Sequence, residues 1–224
     1  MKIFTKIAAG FIAITLPFML MMFSIRILFT PLFLSFEYNF PGFPRDTYGF
    51  STQERMHWGT ESITYLFDRS NRSSLADLKF EDGSNIYNER EISHMVDVKI
   101  LLRKALNVFY IFLGIYLIIF LLSYKAKTTK TLLKGLSSGG WLTIGIIGLI
   151  IAAVVISFNQ LFTLFHKLFF TGDTWLFNYS DTLIRLFPMR LWQDAFILMG
   201  GITLIIAFIF AIYSRKLISG TKAG

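Results

Sequence analysis

Three histidines, no cysteine and a few charged residues beside long apolar runs are the groups in this 224-residue chain that point to chemistry. His94 comes just before one apolar run, and His166 closes another. If these runs are helices traversed in opposite directions, both imidazoles lie at similar depth at the same end. Histidine has an ordinary pKa of about 6.5, so two of them can share the roles of base and acid near neutrality. Residues three apart share a helix face, which puts Glu91 and Asp97 on either side of His94. Either carboxylate could hold a ring nitrogen, set the tautomer and raise its basicity. A histidine near a membrane interface is also a common polar anchor, so pattern alone leaves both readings open. His57, next to Trp58, reads as a surface residue. The lack of cysteine excludes a thiol nucleophile, a thiolate metal site and any disulfide.

The elements that must position these residues follow from composition. Apolar residues make up 54% of the chain and charged ones only 16%, too few charges to cover a soluble globule. A bilayer crossing takes about 20 mostly apolar residues. Four stretches meet that length and predict an all-α membrane protein: spans over 7–36, 99–124, 141–165 and 195–213 in a four-transmembrane-helix bundle. The connections are a partly helical extracellular cap over 37–98 between helices 1 and 2, a loop over 125–140 and an aromatic loop over 166–194. Lys2 and Lys6 ahead of an apolar run imitate a signal peptide, but no small-residue cleavage site follows, so an uncleaved first helix is expected.

Charge placement orients this bundle. Lys2, Lys6, Lys125, Lys127, Lys130, Lys134, Arg215, Lys216 and Lys222 fall in the two ends and the 125–140 loop, where there is no acidic residue. All fourteen Asp and Glu fall within 37–104 and 166–194, with twelve basic residues. The positive-inside rule then predicts cytoplasmic termini and an extracytoplasmic cap carrying His94 and His166. The net charge of +8 is therefore a topology signal, and no nucleic-acid partner is expected. Arg26 lies twenty residues after Lys6, about 30 Å of helix, which puts it near the outer boundary. There it either snorkels or anchors a carbonyl, ester or phosphate oxygen. In the cap, Ser51 and Glu54 have capping-box spacing ahead of an amphipathic run to Phe67. The cap is too short for an independent core and is expected to lean on the bundle and the membrane surface.

The block Glu89-Arg-Glu-Ile-Ser-His94-Met-Val-Asp97-Val-Lys, the block Phe165-His166-Lys-Leu-Phe-Phe-Thr-Gly-Asp173-Thr-Trp175 and the run Asp181-Thr-Leu-Ile-Arg185-Leu-Phe-Pro188 together resemble the lipoprotein intramolecular transacylase family of bacterial membrane enzymes. The resemblance implies a substrate that is a diacylated bacterial lipoprotein in the plasma membrane, and no cofactor or metal. It implies transfer of the sn-2 acyl chain of diacylglyceryl-cysteine to the cysteine α-amine, giving a lyso-form lipoprotein. By this likeness His94 and His166 would be the catalytic pair; beside it the chain's own pattern offers Asp97 and Glu91 as supporting residues and Arg26, Trp175, Asp181 and Arg185 as substrate-binding ones. General acid–base chemistry fits this reaction: His94 is expected as base and His166 as acid, while Arg26 or Arg185 stabilises the oxyanion. The attack closes a cyclic arrangement of roughly eight atoms, so orientation is much of the catalyst's task.

Two other classes compete. A metal-dependent membrane lipid hydrolase would need His57, His94 and His166 with a carboxylate around Zn²⁺. A non-enzymatic assembly factor would not need the histidines at all.

Overall fold

The computed structural model describes residues 2–69 and 71–220; Lys222, counted above among the basic residues, lies outside them. The chain is helical: α1 Lys2–Leu28, α2 Pro31–Tyr38, α3 Thr52–Phe67, α4 Ser73–Ala76, α5 Glu89–Lys125, α6 Thr129–Phe169, α7 Thr182–Leu186 and α8 Met189–Gly220. Among the described residues the β structure is an isolated bridge between Lys79 and Asn85. Four helices are long and apolar enough to cross a membrane: Ile3–Leu28, Glu89–Lys125, Thr129–Phe169 and Met189–Ser219. Large apolar side chains on them remain open to the surroundings, Leu149 at 75% and Ile156 at 83%, as hydrocarbon rather than water would require.

The first expected helix, 7–36, is two helices. Proline lacks an amide hydrogen and disfavours helical backbone in the residue before it, so α1 stops at Leu28 and Pro31 begins α2 at its first turn. Thr30, extended at φ −142°, caps α2 through its side chain on the Phe33 amide. The loop expected over 125–140 is only the turn 126–128. Lys127 takes the left-handed conformation at φ 55°, where glycine is commoner, and Thr128 donates its amide to the Ser123 carbonyl to close α5. Gly139 and Gly140, inside the stretch expected as a loop, are helical and serve close packing.

The chain divides into two compact units. The first comprises residues 1–26, 106–156 and 196–224. Its helices approach through small residues: a Cβ at Gly140 would stand 2.6 Å from the Ala207 carbonyl oxygen, and one at Gly135 2.5 Å from that of Ala9. Polar seams complete it. Ser24 and Thr203 share a 2.9 Å hydroxyl contact, Thr15 and Tyr116 another at 2.9 Å, and Ser137 donates to the Ala211 carbonyl at 2.8 Å. This is how membrane helices associate when lipid removes the hydrophobic drive between them. A groove of about 640 Å³ in this unit is lined by apolar side chains such as Ile12, Leu117, Leu132 and Phe210.

The second unit comprises residues 27–105 and 157–195. The capping box expected at Ser51 is present, with Ser51 accepting from the Glu54 amide and Glu54 accepting from that of Ser51. The cap segment shares one apolar core with neighbouring elements: Tyr65 and Leu66 of α3, Leu75, Ile86 and Tyr87, Ile92 and Met95 of α5, and Leu183 and Leu186 of α7. That sharing answers the size problem of the cap, which alone has too few apolar residues to close.

Candidate active site

His94 lies on the second turn of α5 and His166 on the last turn of α6. Both are 8% exposed. Their rings stack with centroids 5.7 Å apart and planes 27° apart. Aromatic side chains wall the pair: Phe170 lies 5.0 Å from His94 and 5.5 Å from His166, Phe177 5.4 Å from His94, Trp175 5.1 Å and Phe162 4.1 Å from His166. α6 reaches this place through a break, since Ser157 has extended angles (φ −161°, ψ 89°) inside what reads as one apolar helix.

Hydrogen bonding distinguishes the two rings. His166 Nδ1 lies 2.8 Å from the Phe162 carbonyl oxygen. A carbonyl can only accept, so Nδ1 carries the hydrogen and, in the neutral ring, Nε2 holds the free lone pair. His94 Nδ1 is buried and has no partner. Neither Glu91 nor Asp97, the carboxylates expected on the His94 ring, holds that nitrogen. Glu91 is a helix cap. Asn88 Oδ1 accepts from the Arg90 and Glu91 amides at 3.0 Å, and Glu91 Oε2 returns the bond by accepting the Asn88 amide at 2.8 Å. Glu91 Oε1 accepts the Leu183 amide at 2.7 Å, which ties α7 to the start of α5.

The remaining expected residues separate into groups. Trp175 is at the pair, with its Nε1 donating to the Gly172 carbonyl at 3.2 Å. Asp181 is engaged nearby in structure, accepting from Arg90 at 3.0 Å, Asn88 at 3.3 Å and the Asn178 amide at 2.8 Å, while Arg90 lies over Phe177 at 6.0 Å. Arg185 is committed to Asp46 at 2.9 Å and lies 3.5 Å over the Phe50 ring, so its expected place on the oxyanion is not seen. Arg26 is exposed and belongs to the first unit. His57 is exposed on α3 against Trp58. Among the described residues no three His, Asp or Glu side chains come together to hold a metal ion, so the histidine set of the hydrolase alternative is not assembled.

Phe162 and Phe170 went unread in the sequence although each is four residues from His166, the spacing that places side chains on one helix face. Phe177 comes from an irregular loop and left no such signal. A second acidic feature was also missed. Glu37 on α2 is 2% exposed, its Oε2 has no partner, and burial together with the Asp194 charge pushes its carboxyl up to about 7.

Four apolar spans and an imidazole pair in an aromatic enclosure define a multi-pass membrane protein equipped for proton transfer. The chain belongs to the lipoprotein intramolecular transacylase Lit family, whose model matches residues 10–192, and it is thus a membrane acyltransferase. An uncharacterized protein of Aquifex aeolicus (strain VF5) is 27% identical over 207 residues, 92% of this chain and 91% of its own length. The structure of the membrane-integral Lit of Bacillus cereus superimposes with a TM-score of 0.83 at 22% identity, covering 100% of both chains. Variants of that protein with a histidine replaced by arginine or alanine give TM-scores of 0.74, also at 22% identity, over 98% and 99% of this chain and 94% and 96% of theirs.

Proposed function

We propose that this protein moves the sn-2 acyl chain of a diacylglyceryl-cysteine lipoprotein onto the cysteine α-amine within one substrate molecule. The observation that carries this reading is the buried histidine pair, 5.7 Å apart, with one tautomer held by a backbone carbonyl. The held tautomer supports the reverse of the roles expected from the sequence, which were His94 as base and His166 as acid. His166 Nε2, bearing the lone pair, takes the proton from the attacking amine, so His166 is the base. The nitrogen then adds to the ester carbonyl and the C–O bond to glycerol breaks; the proton taken up by His166 passes to His94, which accepts it on one ring nitrogen and releases the proton of the other to the departing alkoxide. The proton lost by nitrogen ends on oxygen, so the reaction consumes no net acid or base. Phe162, Phe170, Phe177 and Trp175 exclude water, which would otherwise hydrolyse the ester. With Arg185 held by Asp46, the oxyanion falls to donors at the pair itself.

Charge placement supports a bacterial plasma membrane protein with cytoplasmic termini and an extracytoplasmic site. The cysteine-free chain makes this testable by labelling: Ser84→Cys should react with an impermeant maleimide on intact cells, and Lys134→Cys only after permeabilisation. The reaction itself is tested by incubating purified protein with a synthetic diacyl lipopeptide and reading the product by mass spectrometry. N-acylated lyso-lipopeptide is expected; free fatty acid as the product would replace the reading with hydrolysis.

A further inference from the structure

In the second unit, the strap between α2 and α3 and the residues around α7 enclose a cavity of about 250 Å³, lined among others by Arg45, Asp46, Arg55, Tyr179 and Arg185. None of these residues is in a membrane-spanning helix. Three guanidinium groups meet one carboxylate here, and that carboxylate is already engaged. Asp46 takes Arg185 through two nitrogens, Nη2 at 2.9 Å and Nε at 3.2 Å, and accepts the Phe50 amide at 2.7 Å. Burial alone would raise its pKa, but these bonds hold Asp46 below the usual carboxylate range.

Arg55 is the unusual member. It is 5% exposed, yet it makes no ion pair within 4.0 Å among the described residues. Its Nη1 donates to the Pro44 carbonyl at 2.9 Å, its guanidinium lies 4.6 Å from the Tyr38 ring and 5.1 Å from that of Phe43, and its Nε is buried with no partner. Arginine does not deprotonate in proteins, so a buried full charge is left with π faces and one carbonyl. A buried, unpaired cation is costly unless something neutralises it. The cavity adjoining it supplies the room. Arg45 is exposed on its lining, as are Tyr48 at 52% and Tyr179 at 81%, amphipathic rings of the kind found at headgroup depth.

We propose that this cavity is an oxyanion site for a phosphoryl group, with Arg55 as its buried anchor and Arg45 at its mouth. A planar guanidinium with a spare N–H suits phosphate oxygens, and the group comes either from the headgroup of an anionic membrane lipid or from free phosphate. The site is independent of the acyl-transfer reading, because no residue of the histidine pair's enclosure takes part in it.

Calorimetric titration of the purified full chain in uncharged detergent tests it with three probes: inorganic phosphate, monomeric dihexanoylphosphatidylglycerol and uncharged dihexanoylglycerol. Saturable binding of one phosphoryl probe per chain, with none of dihexanoylglycerol, is expected. Preference for the phosphatidylglycerol identifies a lipid headgroup, and equal affinity for phosphate identifies the free ion. Arg55→Gln should abolish binding. Since that variant perturbs a buried contact, Arg45→Gln, an exposed change that leaves the fold intact, carries the decision: affinity should fall about tenfold, as loss of one charge-assisted hydrogen bond of roughly 1.5 kcal/mol implies. Absence of binding by both phosphoryl probes, or affinity unchanged in Arg45→Gln, would overturn the proposal.

Discussion

The two compact units use their residues in opposite ways. All fourteen acidic residues and all three histidines belong to the second unit, and none to the first. The first associates through absent side chains, with Gly135 and Gly140 against backbone, and through hydroxyls that bond within the helical framework. The second is held by long-range polar contacts such as Glu91 to Leu183, Thr182 to the Ile86 carbonyl at 2.6 Å, and Tyr38 to the Leu186 carbonyl at 2.7 Å. The difference follows from solvent. Charge is costly in hydrocarbon, so a membrane unit is built by shape, whereas ionisable groups collect where water or headgroups can reach.

Substitutions should separate the units by which property they damage. The largest effect is expected on chemistry in the second: His166→Ala and His94→Ala should each lower lyso-lipopeptide formation by about 10²–10⁴-fold, the usual worth of general acid–base groups, with melting temperature near that of the parent. Retained activity in either would break the assignment of catalysis to the pair. In the first unit, Gly140→Leu should lower folded yield and melting temperature, because the new Cβ meets backbone at 2.6 Å; overpacking of this kind costs about 1–3 kcal/mol or more. Turnover per folded molecule should survive, and a selective loss of turnover would blur the division.

A third pair of variants sharpens the role of the acidic neighbours. Glu91→Ala removes a cap and strands the Leu183 amide, so about 1–2 kcal/mol of stability and most activity should go together. Asp97→Asn should change activity less than threefold, because Asp97 does not hold the His94 ring. A large effect of Asp97→Asn with an unchanged melt would restore the sequence-based expectation. A further difference is a pH slope from Glu37. Its carboxyl is raised to about 7 from an ordinary 4.5, so between these values the folded state binds the proton that the unfolded state has lost. Stability should therefore fall as pH rises from about 4.5 to about 7, and Glu37→Gln should flatten that slope in thermal melts.

How much was legible depends on how local the cause is. Ser51 with Glu54 is a four-residue pattern that closes on itself, and it was readable at once. Asn88 with Glu91 is the same pattern, yet Glu91 was read as a partner of His94, because one carboxylate three residues from an imidazole fits either role. The hydropathy of 7–36 reads as one span, and nothing in it says that Pro31 begins a second helix. The basic, glycine-containing stretch after Lys125 read as a long loop, since nothing local says that Gly139 and Gly140 meet other helices. Arg185 looked available for substrate until Asp46, 139 residues away, was found beside it.

The sequence by itself determined the solvent and the number of spans, because hydropathy and helix periodicity act through neighbours along the chain. Its family blocks also named the residues to watch. Tertiary structure alone decided the partners: that His94 and His166 stack, that Glu91 caps rather than tunes, and that Arg55 is buried with no ion pair within 4.0 Å among the described residues. Those outcomes depend on which distant groups compete for the same hydrogen bond or the same space, and no spacing along the chain records the result of that competition.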